Sequence, residues 1–351
     1  MINDPNLDGA ILQSPTLKVA TTGSNFLDGS ASSSLVTIDE TDSALIAELL
    51  DDGKITNREL AQRINISESA VSIRLRKLTS NGILVFTAIF DWEVAGYEWF
   101  VIARIKARVR SAQNVAADVG QLPECEASAA VLGSHDVIAY FLVKDRAELN
   151  QLVDRLSTID GVAEIDIDLA ADTTIPSQGR QVFLAINPPP IRLPAPRIDL
   201  DSLDLAILQS LVVDGRQSSR SIARTFEVSE GTIRGRIARL TDSGLTRVVA
   251  MVEPVGLGMA GVIAAISVRV DRTRIDAIAK SFSAMPNVVF TSICLGNCDM
   301  HIAAIAPDPR AVMQFVGESV QSVDGVLSTD TLLMVDVVRF SPWMKRLNAA
   351  D

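Results

Sequence analysis

The segment Ser67–Gly82, SESAVSIRLRKLTSNG, returns at Ser229–Gly244 as SEGTIRGRIARLTDSG without a gap. The likeness runs beyond it. Asp39/Asp201, Asp42/Asp204, Asp52-Gly53/Asp214-Gly215, Arg58/Arg220 and Ala61/Ala223 precede the segment, and Arg74/Arg236 and Leu78/Leu240 fall inside it. Farther on, GSHD at 133–136 faces GNCD at 296–299, and IDGV at 159–162 faces VDGV at 323–326. The offset grows by one residue at each of these steps, as short loop insertions produce. An ordered series of this kind is a tandem duplication. It constrains the fold strongly, because whatever one half builds the other builds too. A chain of 351 residues is also too long for one ordinary core.

Each copy reads in two parts. In the first, Leu45, Ile46, Leu49 and Leu50 have helical spacing and stop at Asp51-Asp52-Gly53. TNRE at 56–59 is a capping-box pattern opening a second helix. Ser67 caps a third, which Gly82 ends. Three short helices with a tight turn between the last two describe a helix-turn-helix. The second part reads strand (EWFVIARIKARV), helix (NVAADVGQL), strand (CEASAAVL), strand (VIAYFLV), helix (RAELNQLVDRLS), strand (VAEIDIDLA), the β-α-β-β-α-β order of a ferredoxin-like domain. The expected class is α+β, with two tandem units, each a winged-helix-like helix-turn-helix followed by a ferredoxin-like domain.

The expected divisions are a disordered arm over 1–36, helix-turn-helix domains over 37–86 and 199–248, ferredoxin-like domains over 87–172 and 249–340, and a tail over 341–351. Between the copies, 173–198 reads as an extended, semi-rigid linker, since residues 171–197 hold six of the 14 prolines.

The net charge of −11 argues, as a sum, against nucleic acid, but its distribution argues the other way. Lys54, Arg58, Arg63, Arg74, Arg76 and Lys77 face only Glu59 and Glu68 in residues 54–78. Arg216, Arg220, Arg224, Arg234, Arg236 and Arg239 face only Glu227 and Glu230 in residues 216–240. Positive charge is concentrated in the repeated segments. No apolar run reaches the roughly 18 residues of a membrane span, and the N-terminus lacks the pattern of a secretory signal. Three cysteines, Cys125, Cys294 and Cys298, fit reduced thiols better than a disulfide framework. A cytoplasmic protein without membrane contact is expected.

On an ideal third helix Val71, Leu75 and Leu78 share the face that packs on the preceding helices. The opposite, polar face is free to enter a major groove, where Arg reads guanine edges and Ser and Arg hold phosphates. The expected DNA-binding residues are Ser67, Ser69, Ser72, Arg76 and Lys77 in the first copy, and Ser229, Thr232, Arg234, Arg236 and Arg239 in the second. The bland reading is a solvated helix face that binds a protein. Two copies with the same caps and local charge favour double-stranded DNA.

IDETDSALIAELLDDGKITNRELAQRINISESAVSIRLRKLTSNGIL and LDSLDLAILQSLVVDGRQSSRSIARTFEVSEGTIRGRIARLTDSGL both resemble the helix-turn-helix of the leucine-responsive regulator (Lrp/AsnC) family of transcription factors. The segments that follow resemble that family's regulatory domain. The resemblance covers nearly all of residues 37–340 and implies a transcriptional regulator, not an enzyme, with no cofactor. It also implies a homo-oligomer and a small-molecule effector, an amino acid. The departure is the doubling, which points to an internally paired chain or to multimers of such pairs.

The same resemblance places the effector near the Gly-x-x-Asp turns, here Gly133, Ser134, His135 and Asp136, and Gly296, Asn297 and Asp299. Asp would meet the ammonium group, and N–H groups of a Gly turn would meet the carboxylate. The competing reading is a hairpin turn whose Asp bonds its own backbone. His135 reads as solvated and His301 as structural. Cys294 and Cys298 lack further ligands at zinc spacing, so no metal is expected. Siroheme decarboxylases, whose fold resembles this family, supply the enzyme alternative. Their His- and Tyr-rich signature is poorly matched by GSHDVIAYF and GNCDMHIAA. A ligand-sensing oligomer without DNA binding is the third reading.

Overall fold

A computed structural model describes residues 9–13, 38–184, 188–254 and 260–347. After a short strand β1 (Ala10–Leu12), the first unit opens with α1 (Glu40–Asp51), α2 (Asn57–Arg63) and α3 (Glu68–Ser80). Side chains start each helix. Asp39 and Asp42 form a capping box on α1, Thr56 and Glu59 form one on α2, and Ser67 accepts the Ala70 N–H at the start of α3. Leu45, Leu49, Leu60, Val71 and Leu78 are fully buried between the helices.

The next strand, β2 (Leu84–Asp91), leads into a ferredoxin-like domain: β3 (Trp99–Ala107), α4 (Ala112–Gly120), β4 (Cys125–Leu132), β5 (Val137–Val143), α5 (Arg146–Thr158) and β6 (Val162–Thr174). A connecting stretch carries α6 (Ser177–Arg180) and β7 (Ile191–Leu193). The second unit repeats the plan with α7 (Ser202–Val213), α8 (Ser219–Thr225), α9 (Glu230–Asp242) and β8 (Thr246–Val252). Then come β9 (Val262–Val270), α10 (Ile275–Ser283), β10 (Val288–Leu295), β11 (Met300–Ala306), α11 (Pro309–Gln314) and β12 (Val326–Phe340). A two-residue strand β13 (Met344–Lys345) follows.

The two units pair with each other. Each ferredoxin-like sheet leaves two edges, and here β6 pairs with β10 and β12 with β4, both antiparallel. The result is one closed barrel in the order β10-β11-β9-β12-β4-β5-β3-β6. Residues of β3 alternate accordingly. Val101, Ala103 and Ile105 pack under helices of their own unit, whereas Ile102 belongs to a buried cluster shared with the second unit's Ile263, Ala265 and Leu332.

Strands β2 and β8 form a second antiparallel seam, from Leu84↔Val252 to Phe90↔Thr246. No strand is expected here from the sequence, and the expected divisions at 86/87 and 248/249 fall inside both. The cause is that each strand completes the other unit's helical domain. Ala250 and Val252 of β8 sit in the core of the first helix-turn-helix, and Ala88 and Phe90 of β2 in that of the second.

Three expectations need correction. Ala10–Leu12, placed in a disordered arm, is a strand paired antiparallel with β7, its Ala10 and Leu12 buried. The remainder of that arm, apart from Gly9 and Gln13, lies outside the described residues. The proline-rich stretch is not a free spacer: Ile175, Val182, Phe183, Leu184, Ile191 and Leu193 are buried. Each such side chain contributes about 1.5–3 kcal/mol when fully buried, more than an extended spacer would forgo. The tail is docked as well. Trp343 and Met344 are buried, β13 runs parallel to β2, and Arg346 reaches the buried Asp91 at 3.1 Å.

The shared cores predict cross-unit damage. Ala250→Glu, which places a charge in the first helix-turn-helix from the second unit's strand, should cost about 3 kcal/mol or more. Hydrogen exchange should show protection lost over residues 40–80 and kept over 202–242; equal loss in both regions would contradict the arrangement.

Candidate nucleic-acid interface and regulatory turns

In α3 and α9 the buried faces are anchored by Val71 and Leu78, and by Ile233 and Leu240. Part of the expected reading surface proves to be scaffold. Arg74 binds Asp39 and the fully buried Asp42, both at 2.7 Å. Its counterpart Arg236, expected at DNA, does the same with Asp201 at 2.6 Å and buried Asp204 at 2.9 Å. Lys77 lies 3.7 Å from Asp42, and Arg239 lies 2.5 Å from Asp204. A carboxylate without solvent is costly unless paired, so these cations neutralise the base of the capping box. Arg236 is thereby a strut. Lys77 and Arg239 keep about half of their side-chain surface in solvent, 46% in each case.

The outward face carries the rest. Ser67 and Ser229 are helix caps that remain exposed beside Ser69 and Thr232. Ser72 is half-buried, donates to the Glu68 carbonyl at 3.0 Å and accepts from Asn57 at 3.2 Å. Arg76 is exposed and forms no ion pair among the described residues. Arg234 is 73% exposed and held along its helix by Glu230 at 2.5 Å. Arg58 and Arg220 are equivalent exposed positions on α2 and α8. Neither lies on the third helix, so its helical geometry does not single them out, although both add to the local positive charge.

One cation crosses between units. Arg216 lies over the Phe86 ring at 4.3 Å and donates to the carbonyls of Gly53, at 3.3 Å, and Ile55. Burial lowers its pKa. It also approaches Asn57 Oδ1 at 3.4 Å. Arg216, Asn57 and Ser72 thus join the second unit to the first reading helix.

The two Gly-x-x-Asp turns sit where the units interlock. A Cβ on Gly133, whose φ is +151°, would come within 2.8 Å of the Thr331 carbonyl. On Gly296, at φ +152°, it would meet Asp168 Oδ1. Only glycine tolerates that dihedral and that approach together. The aspartates are committed to the backbone: Asp136 accepts the Ala107 N–H at 2.8 Å, and Asp299 the Val270 N–H at 3.1 Å. Asp299 also pairs with Arg272 at 2.8 Å. Its acid is held below the usual carboxylate range: burial pushes upward, but Arg272, the Val270 N–H and Arg269 outweigh it. Each aspartate thereby ties its turn to a neighbouring strand, Asp136 to β3 and Asp299 to β9, rather than to the backbone of its own turn.

His135, expected in solvent, is 9% exposed and lies between Ser134 Oγ at 2.8 Å and Asp166 at 3.2 Å. Ser134 also donates to Asp330 at 2.5 Å, across the unit boundary. The Asn297 carbonyl accepts from Arg269 at 2.9 Å. Beneath both turns, buried Arg104 pairs with buried Asp168 at 2.9 Å and reaches toward Asp330 at 3.8 Å. Asp168 also accepts the Cys298 N–H at 3.1 Å. The pair thus holds the second turn directly, and Asp330, which Arg104 approaches, holds Ser134 of the first. His301 is buried in β11, 2.9 Å from Tyr140 of the other unit, and burial holds its pKa down to about 3. The three cysteines are buried free thiols.

Two helix-turn-helix domains on one paired regulatory body define a doubled DNA-binding regulator, and comparison with known proteins agrees. A winged helix-turn-helix DNA-binding model matches residues 38–85, and an AsnC-type helix-turn-helix model matches 200–241. The Lrp/AsnC ligand binding domain matches twice, at 100–179 and 263–344. The chain belongs to the Lrp/AsnC family of helix-turn-helix transcriptional regulators. An uncharacterised HTH-type transcriptional regulator of Pyrococcus abyssi is 30% identical over 141 residues, 40% of this chain and 89% of its own length. HTH-type transcriptional regulator FL11 of Pyrococcus horikoshii is 32% identical over 128 residues, 36% of this chain and 85% of its own. Among solved structures, the siroheme decarboxylase NirDL is similar over 86% of this chain and 93% of its own, with a TM-score of 0.60 and 12% identity. At that identity the likeness is one of fold. Among the described residues no helix is long and apolar enough to cross a membrane.

The strut assignment can be tested by acid titration. A hydrogen bond from Arg74 holds the Asp39 acid below its usual range, with the Asp42 N–H adding to it. Stabilisation from a depressed acid is present above the unfolded value and lost as pH falls through the folded one. Arg74→Ala should therefore cost stability at pH 7 and give a shallower acid limb below about pH 4 by circular dichroism. An unchanged slope would mean that Arg74 acts by packing alone.

Proposed function

We propose that this regulator reads an asymmetric operator, with α3 and α9 contacting unlike half-sites, and that an amino acid modulates its affinity for DNA. The observation that carries the reading is the contrast between the two helices. Their core positions agree in type, whereas outward Ser72, Ile73 and Arg76 face Arg234, Gly235 and Ala238. Ile73 is 64% exposed, placed for contact with a thymine methyl rather than for packing. A Cβ on Gly235 would touch nothing within 4 Å, so no packing demand explains that glycine. In a symmetric dimer both helices must be identical and the operator palindromic; duplication removes that requirement. The protein works on chromosomal DNA in the cytoplasm.

Selection of bound sequences from a random pool tests this. Arg76→Ala and Arg234→Ala should each relax one half-site, by roughly 1–3 kcal/mol for a bidentate base contact. A palindromic consensus equally sensitive to both substitutions would defeat the reading. Uniform weakening with a smaller salt dependence would assign both residues to phosphates.

The effector reading draws support from the matched ligand-binding domains. Higher assembly draws support from Leu132 and Leu295, equivalent residues beside those turns, exposed by 55% and 51%. Light scattering should give a mass above one chain, and Leu132→Asp with Leu295→Asp should reduce it; a strict monomer with and without DNA would exclude assembly. The decarboxylase reading has only the fold likeness behind it. The space between the two ligand-binding sheets is about 150 Å³. An engineered cavity of roughly that size admits benzene, and a tetrapyrrole is far larger.

A further inference from the structure

That same space has the makings of a site. Both ligand-binding sheets, the connecting stretch and the docked tail contribute to its wall. Most of the lining is apolar and aromatic. Trp92 stacks on Phe100 at 5.0 Å, and Phe100 lies 5.9 Å from Tyr140 and 5.3 Å from Phe290. Two charged side chains interrupt it, Glu126 and Lys345. They form no ion pair with each other. Glu126 Oε2 is buried without a hydrogen-bond partner. Lys345 is 6% exposed; its ammonium has one long hydrogen bond, 3.4 Å to the Gly179 carbonyl, and the Phe340 ring at 5.5 Å.

Burial lowers the Lys345 pKa to about 8, which leaves it mostly charged at neutral pH, and the same burial raises that of Glu126. Ser341 bonds the Glu126 carboxyl, but one carboxyl oxygen and most of the enclosed ammonium stay unpaired, which is costly. That cost is met when a ligand supplies the missing partners. Val289, the second unit's equivalent of Glu126, also lines the cavity. The polar end is therefore single, and it allows one ligand per chain in one orientation.

We infer that this cavity binds one apolar L-α-amino acid, its carboxylate against Lys345, its ammonium against Glu126 and its side chain among Phe100, Tyr140 and Phe290. The size matches a phenyl or branched aliphatic side chain, by comparison with benzene in an engineered cavity of roughly 150 Å³. The site is separate from the Gly-x-x-Asp turns, whose aspartates are engaged by backbone. Only its regulatory consequence rests on the proposed amino-acid control of DNA binding.

The test is calorimetry on the full chain with L-phenylalanine, followed in parallel by tryptophan fluorescence, since Trp92 lines the cavity. One equivalent should bind, and phenylacetate and 2-phenylethylamine, each lacking one charge, should bind at least tenfold more weakly. Ala303→Leu should abolish binding by filling the space. Lys345→Met should weaken L-phenylalanine at least tenfold and leave 2-phenylethylamine unchanged, a pattern that misfolding would not produce. The inference is overturned by no binding, by equal binding of the single-charge compounds, or by binding lost only in Asp136→Asn or Asp299→Asn. DNA affinity measured with and without L-phenylalanine is a separate readout. Binding as described with unchanged DNA affinity would uphold the site and sink the amino-acid control.

Discussion

A four-stranded ferredoxin-like sheet has helices on one face, an uncovered apolar face on the other and two unpaired edges. Unpaired edges expose backbone donors and acceptors to any other strand. In this chain the pairings β6–β10 and β12–β4 remove all four edges at once and bring the two apolar faces together. Everything else is placed by that closure. It seats the regulatory turns against the other unit's last strand, encloses the aromatic cavity, and aligns β2 with β8 so that each helix-turn-helix obtains its missing core. Covalent linkage makes the pairing intramolecular, so it does not depend on protein concentration.

Closure is pseudo-symmetric, and the departures from symmetry are concentrated at polar positions. Arg104 has no arginine opposite it: the strand position equivalent to it on β9 is Ser267, judged by the matching registers with β5 and β11. Glu126 faces Val289, and Arg216 bridges the helical domains where the first unit has Lys54. A single strand-packed ion pair is weak evidence for stability. Arg104–Asp168 matters more as a register device, since the carboxylate also holds the Cys298 amide and Gly296 packs against it. Two identical subunits could not carry such one-sided contacts.

Much of the local structure was legible. The caps at Asp39, Thr56 and Ser67, the three-helix pattern and the strand order followed from side-chain hydrogen bonding and hydrophobic period. The strands β2 and β8 were not, because their apolar runs are buried by the other unit, and periodicity cannot report a partner so distant in sequence. The reading face was legible only in part. Charge alone could not separate Arg76, which is free of ion pairs among the described residues, from Arg236, which is bound to Asp201 and Asp204. The distinction needs the acids of the first helix, 35 and 32 residues away. The Gly-x-x-Asp turns show the same limit: the strand that each Asp holds, β3 or β9, lies 29 residues away in sequence.

By itself the sequence determined the duplication, the class of each unit and the family, because these depend on short-range patterns of caps, glycines and apolar spacing that survive without knowledge of contacts. Tertiary structure alone decided which edges meet, which arginines are struts, that the proline-rich stretch and the tail are docked, and that Glu126 and Lys345 share one cavity. Those outcomes depend on approaches between residues far apart in the chain. Glu126 and Lys345 come from opposite halves of it, and only barrel closure brings them into the same low-dielectric space.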